Sequence, residues 1–415
     1  MTGPSATARR VLIVDDSAFM RASLRHIVGN TPGYAVVGEA ADGVTAIQAI
    51  RALRPDVVTL DIDMPNLDGI GVLTQLRPRP GTTPVFIMVS AFTTEGASMT
   101  LRALEAGAVD FVPKASEHFK VDLAQVGELL RDKLEVASAI AGRGAPPPLA
   151  PPPLAPPPRL APLRSLPAVA PVIAPGPATA HAAEPAVSAP AVLRSANEGG
   201  PPDLVVIAAS TGGPQTLPEV LRPLHPYPAP VVVAQHIPPV FSRSLAQSLA
   251  TALGTPVVEA ADGEELAPGT VYLLPGGQNA EVVRRRPAGF ALRLVGGGGA
   301  IYRPNADILF RSAALNARRP VGVVLTGMGS DGCEGARALA QRGCPVLAQD
   351  PATTVIWGMP RAVIEAGLAS GVAGPDAIGR RLAAMAGMAG LDDMAGLDGL
   401  DGMAGLAGPD GRTGA

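Results

Sequence analysis

The sequence predicts an α/β protein built from two doubly wound parallel-sheet domains joined by a Pro/Ala-rich linker, the second domain carrying an antiparallel insertion. Three observations carry that prediction. Short, β-branched apolar runs alternate with amphipathic stretches in two separate parts of the chain. Between those parts the composition collapses into proline and alanine. Polar side chains stand directly after the apolar runs, where a parallel sheet presents its functional edge. The expected division is a first domain over 9–140, the linker over 141–202, a second domain over 203–384 and a low-complexity tail over 385–415.

A chain of 415 residues is long enough for two or three domains with proper cores. Its formal net charge of −3 comes without a dense basic stripe, which argues against nucleic acid as a partner. The positive mean hydropathy is spread through short runs. None approaches the ~20 apolar residues of a membrane span. Arg9-Arg10 lead into only four apolar residues before Asp15-Asp16, which makes no signal peptide. The two cysteines, Cys333 and Cys344, lack metal-ligand spacing, so the expected setting is the reduced cytoplasm.

In the first domain the apolar runs fall at 11–14, 35–37, 57–60, 85–89 and 109–112, five expected strands with helices between them. Asp15 and Asp16 follow the first run, Asp61 the third, Ser90 the fourth, and Lys114 stands just after the fifth. Clustered carboxylates repel one another unless a hard cation sits among them, and two or three with waters suit Mg2+. A lysine and a hydroxyl facing the same point can hold the oxygens of a phosphoryl group. Taken singly, Asp15, Asp16 and Asp63 read equally well as solvated turn acids. Five side chains at the ends of four strands favour the site.

These residues resemble the receiver domain of two-component response regulators, through VLIVDDS, LDIDMPNLDG, MVSAFT and DFVPK. The resemblance implies Asp61 as the phosphoacceptor, with Asp15 and Asp16 around Mg2+ and Asp63 offering its main-chain carbonyl to the metal. It further implies that Ser90 and Lys114 contact the phosphoryl group and that Phe111 is the aromatic that moves on activation.

The linker contains PPPLA twice in tandem over 146–155. Such a segment cannot bury a core and is expected to be an extended tether, reaching at most ~190 Å at ~3.1 Å per residue. A PxxP ligand role is the weaker alternative. The tail repeats Met-Ala-Gly and Leu-Asp-Gly and is expected to be disordered.

The second domain repeats the α/β pattern, with strand runs at 204–208, 231–234 and 321–325. Residues 271–295, with Gly276-Gly277 and the run Arg284-Arg285-Arg286 opposite 291–295, read as inserted antiparallel strands. Pro360, within Trp357-Gly358-Met359-Pro360-Arg361, suits a helix start. Ser210 follows the first of the three runs, within Ala209-Ser210-Thr211-Gly212-Gly213, where a sharp turn suits a nucleophile. On that stretch alone Ser210 or Thr211 is better explained as a helix cap. A phosphate-cradling loop lacks its Gly-Lys-Ser/Thr.

His236 follows the second run and Asp331 the third, each with a bland explanation of its own, a turn histidine and a helix cap. Together the three reach one sheet edge, as a Ser-His-Asp triad requires. His225, among prolines, and His181, in the linker, are poorer bases. An α/β-hydrolase runs Ser, Asp/Glu, His on a G-x-S-x-G elbow, and Ala208 stands two before Ser210 here, so that family does not fit.

AASTGGP, VAQHIPPVFSRSLA, YLLPGG, RPNADILF, VLTGMGSDG and WGMPRA resemble the catalytic domain of chemotaxis protein-glutamate methylesterases, which also carry an N-terminal receiver. The resemblance implies Ser210 as nucleophile, His236 as base, Asp331 as its partner, and main-chain N–H groups of Thr211 and Met328 as the oxyanion hole. It departs at Ala208, where glycine is usual, and at Asn305, where serine is usual; both changes are expected to touch local packing rather than chemistry.

The implied protein is a monomeric, phosphorylation-activated serine hydrolase of the cytoplasm, recruited to receptor clusters. It demethylates glutamate γ-methyl esters on methyl-accepting chemoreceptors, deamidates selected receptor glutamines and takes phosphate from a chemotaxis histidine kinase. It needs Mg2+ in the receiver and no cofactor in the catalytic domain. Rival assignments are a receiver-controlled scaffold with a vestigial triad, which the retained residues disfavour, and a hydrolase of a different ester.

Overall fold

The computed structural model describes residues 8–78, 83–91, 93–114, 123–141, 200–224, 226–296 and 303–388. The Pro/Ala tether and the repetitive tail lie almost wholly outside these residues, as do His181 and His225.

Five parallel strands, β1 (Arg9–Val14), β2 (Tyr34–Ala40), β3 (Val57–Asp61), β4 (Val85–Ser90) and β5 (Asp110–Pro113), form the first sheet. Helices α1 (Ala18–Gly29), α2 (Gly43–Leu53), α3 (Gly69–Leu76), α4 (Thr94–Glu105) and α5 (Leu123–Ile140) alternate with them. Helices cover both faces, so β3 and β4 are buried along their whole length, and their sequences read as continuous apolar runs. The order β2-β1-β3-β4-β5 reverses between β1 and β3. That switch point opens a crevice at the carboxyl ends of these two strands. Ser17, Asp42, Asp68 and Thr93 each accept a main-chain N–H of the first turn of α1 to α4, so the acidic loops are pinned to the helices that follow.

The second sheet has seven parallel strands in the order β15-β14-β13-β6-β7-β10-β8. They are β6 (Leu204–Ala209), β7 (Val231–Gln235), β8 (Val257–Glu259), β10 (Val271–Leu273), β13 (Pro320–Val324), β14 (Val346–Gln349) and β15 (Gly371–Ala373). The helices are α6 (Gly213–Leu221), α7 (Phe241–Leu253), α8 (Ala306–Asn316), α9 (Cys333–Gln341), α10 (Met359–Glu365) and α11 (Pro375–Met385). A small antiparallel sheet, β11 (Asn279–Arg284), β12 (Phe290–Val295) and β9 (Glu265–Leu266), is the insertion.

The insertion is smaller than the sequence suggests. Residues 271–273 pair in parallel with β7 and β8 in the main sheet, and all three are buried. A short apolar run looks the same in either setting. The arginine run is also placed differently: Arg284 faces Phe290 and Arg285 N–H donates to Gly289 O, so the charges cluster at the hairpin turn, where water reaches them. Pro360 does open a helix, in the first turn of α10.

Both sheets belong to one compact unit. Leu101, Leu104 and Phe111 of the first domain share a buried apolar cluster with Leu217, Phe241 and Leu245 of the second.

Candidate active site

Ser210 directly follows β6 and His236 directly follows β7, central neighbours in the seven-stranded sheet. The capping explanation of Ser210 and Thr211 is excluded, because the N-cap of α6 is Gly212, φ +82°, with no side-chain cap. The Ser210 turn is instead tied across the sheet. Ser210 N–H donates to Thr326 O at 3.0 Å, and Thr326 Oγ1 donates to Thr211 O at 3.0 Å. Gln235 Nε2 donates to Ser210 O at 2.8 Å and to His236 O at 3.1 Å, bracing both turns from one buried amide. Two glycines make room. A Cβ on Gly213 would stand 1.9 Å from Gln235 Oε1, and one on Gly327 would stand 2.7 Å from Ser210 Cβ.

Asp331 is carried well past β13 by a loop, and it does not cap α9, whose N-cap is Gly332. Its Oδ2 lies 2.7 Å from His236 Nε2 and accepts Ala306 N–H at 2.7 Å. Its Oδ1 accepts from Asn305 Nδ2 at 2.9 Å, Gly332 N at 3.0 Å and Asp307 N at 3.1 Å. Burial works to raise the carboxyl's pKa, but the His236 bond and the main-chain N–H donors outweigh it and hold it below the ordinary aspartate value. Asp331 thus stays ionised against the imidazole. Sequence reasoning assigned Asn305 to packing; it contacts the aspartate directly.

Ser210, Thr211, His236, Arg303 and Met328 line a cavity of about 400 Å3. Its other wall comes from the first domain and includes Asp110, Phe111, Asp132 and Lys133. There Asp110 accepts a hydrogen bond from Thr211 Oγ1, while Lys133 Nζ stands 2.7 Å from Asp110 Oδ2 and 3.2 Å from Thr211 Oγ1. The Phe111 ring stacks on Phe241 of α7 with centroids 4.4 Å apart. Gln215 Nε2 donates to Ala108 O at 3.1 Å. None of Asp110, Lys133 or Gln215 was legible as an interface residue, because a contact across domains leaves no periodic mark in sequence.

The first sheet gathers its own cluster. Lys114 Nζ bonds Asp61 Oδ2 at 2.7 Å and lies 3.1 Å from Asp15 Oδ2. Burial pushes the Asp61 carboxyl up to about 6, against the pull of Lys114 and with a further push from Asp15. Asp15, Asp16 and Asp61 can bring one oxygen each within 4.8 Å of one another. The Asp63 side chain is exposed and outside that set. Ser90 is not turned to Asp61: it is wholly buried, donates to Gly96 O at 3.2 Å and accepts from Thr100 Oγ1 at 2.6 Å.

Fold and site together define a class: a two-component receiver domain fused to an α/β hydrolytic domain in which a serine and a histidine line one cavity and an aspartate bonds the histidine. Residues 11–123 match the model of the response regulator receiver domain, and 205–382 match that of the CheB methylesterase. A protein-glutamate methylesterase/protein-glutamine glutaminase of Alkalilimnicola ehrlichii is 42% identical over 90% of this chain and 98% of its own. One of the same description from Oleidesulfovibrio alaskensis is 40% identical over 88% of this chain and 95% of its own. The crystal structure of the Thermotoga maritima CheB methylesterase catalytic domain is 38% identical, covering 44% of this chain and 97% of that one, with a TM-score of 0.42. The chain belongs to the CheB methylesterase family.

Proposed function

We propose that the chain is a phosphorylation-controlled protein-glutamate methylesterase, hydrolysing glutamate γ-methyl esters on chemoreceptor helices and deamidating selected receptor glutamines. The carrying observation is the 2.7 Å pairing of Asp331 with Nε2 of His236, which lines the same cavity as Ser210. Asp331 accepts, so Nε2 carries the ring proton, and Nδ1 takes the proton of Ser210 Oγ as that oxygen attacks the ester carbonyl. The ring nitrogens are exchanged relative to the serine-protease triad, where the aspartate holds Nδ1. The N–H groups of Thr211 and Met328 receive the charge that develops on the carbonyl oxygen. His236 returns the proton to the leaving methoxide, methanol departs, and Ser210 holds the acyl group. Water, losing a proton to His236, breaks the acyl bond; that proton passes to Ser210 Oγ and the glutamate carboxylate is released. With glutamine the same steps release ammonia.

In the receiver, Asp61 is the phosphoacceptor and Lys114 holds a phosphoryl oxygen. The donor set fits Mg2+: three carboxylates at one point, with buried Asp15 Oδ2 turned toward it beside the Lys114 ammonium, 3.1 Å away. Asp15, Asp16 and Asp61 would hold the ion with the Asp63 main-chain carbonyl, and the ion supplies charge neutralisation for the incoming phosphoryl group. Ser90 joins after leaving Gly96 O and Thr100.

The contacts of Asp110, Lys133 and Phe111 with Thr211 and Phe241 support a receiver that obstructs the cleft until phosphorylation shifts Ser90 and Phe111. A chemotaxis histidine kinase is the phosphodonor, and the enzyme works at cytoplasmic receptor clusters; no described helix is long and apolar enough to cross a membrane. Incubation with methyl-labelled receptor membranes should release volatile methanol, and a chain that releases none is not a receptor methylesterase. Fragment 200–384 should show a higher kcat/KM than the unphosphorylated full chain. Equal values would remove the obstruction.

A further inference from the structure

We propose that Asn305 is a positioning residue of the triad, its amide holding Asp331 in the orientation that meets His236. The inference rests on Ser210, His236 and Asp331 acting as that triad. Both ends of the amide are engaged. Asn305 Oδ1 accepts the Ile308 main-chain N–H at 3.0 Å, capping α8, while Nδ2 donates to Asp331 Oδ1 at 2.9 Å. The orientation of the amide follows from chemistry: the Ile308 N–H can only donate, so it selects the oxygen and turns the NH2 group toward the carboxylate.

The main chain of Asn305 is held as firmly. Its N–H donates at 2.8 Å to Oδ1 of Asn279, a fully buried side chain at the start of β11. The insertion hairpin is thereby linked through Asn279 and Asn305 to the aspartate. Three main-chain N–H groups, of Ala306, Asp307 and Gly332, complete the set around Asp331. The side chains of His236 and Asn305 both engage this carboxylate, one on each oxygen. A serine at 305 retains an oxygen to cap α8 but ends one bond short of the amide nitrogen. An aspartate caps α8 as well as asparagine does, yet sets an acceptor against an acceptor.

That contrast separates helix capping from triad positioning. Ser210 labelling by a fluorophosphonate needs an activated serine but no receptor, and is measured on the full chain after acyl-phosphate treatment, beside methanol release and Tm. Asn305→Asp should lower labelling and kcat ~100-fold with KM little changed, the size expected when a reacting group is misplaced by about 1 Å. Asn305→Ser should fall between it and wild type. In an Asp331→Asn background, Asn305→Asp should cost little more, because the residue it acts through is already altered. That double variant restores a donor–acceptor pair, so it reports even where Asn305→Asp alone folds poorly.

Labelling and kcat within twofold of wild type for both single variants would overturn the proposal. So would an equal loss in both backgrounds. Wild type that labels at Ser210 yet releases no methanol would end the receptor reading and leave the positioning role standing. Wild type that does not label would end both.

Discussion

Asp61 and Asp331 are the same residue at the same kind of place, buried at the carboxyl edge of a parallel sheet and bonded to a basic side chain, yet their acidities move in opposite directions. Burial opposes ionisation at both. At Asp331 it meets five N–H donors, from His236, Asn305, Ala306, Asp307 and Gly332, and loses. At Asp61 it meets Lys114 and one main-chain N–H, from Ile62, while Asp15 adds its own charge, and burial wins. The carboxylate proposed to orient an imidazole is surrounded with donors. The one proposed to accept a phosphoryl group is left short of them, which leaves a place for a cation.

The largest expected effect lies at the catalytic edge. Ser210→Ala should lower methanol release ~10⁶-fold, the loss typical of a triad nucleophile; a rate within tenfold of wild type would reject the triad. The sharpest use of the comparison is one substitution made at both edges. Asp331→Asn should lower kcat ~10⁴-fold, because the amide no longer selects the ring tautomer. Asp61→Asn should abolish phosphodonor stimulation and the phosphoryl label found by mass spectrometry. Label on another aspartate would sink the receiver assignment.

A smaller effect is expected where the two domains meet. Asp110→Ala or Lys133→Met removes a charged partner of the Thr211 hydroxyl and should raise the unphosphorylated kcat/KM about tenfold, from ~1.5 kcal/mol of weakened contact. An unchanged rate would mean that this contact does not restrain the enzyme.

The smallest effect is thermodynamic and tests the sign of the Asp61 shift. Its folded pKa of about 6 exceeds the ordinary 3.8, so between those values the folded state binds the extra proton. Stability therefore falls as pH rises through that window, and the full penalty applies above it. In chelator, Asp61→Asn should stabilise the receiver by about 1–3 kcal/mol at pH 7.5 and by about half as much at pH 5. A lower Tm at pH 7.5 would show that the Lys114 pairing outweighs burial.

Much of both edges was legible in the sequence, since a buried parallel strand is a short apolar run and the polar residue after it stands at the edge. That logic placed Asp15, Asp61, Lys114, Ser210 and His236. It missed the pairing of 271–273, because a buried run carries no sign of its partner's direction. It also treated Asn305 as packing, because an N-cap and a carboxylate donor use the same residue type.

By itself the sequence determined where strands end and which acids, bases and hydroxyls stand there, because apolar run length and polar punctuation are local properties. Only the tertiary structure decided which of those groups touch. The His236 nitrogen that meets Asp331, the turning of Ser90 toward α4, and the reach of Asp110 to Thr211 across 101 residues all depend on partners distant in the chain. A hydrogen bond of that kind is set by how two sheets and their helices pack, and packing leaves no period in the sequence for a reader to find.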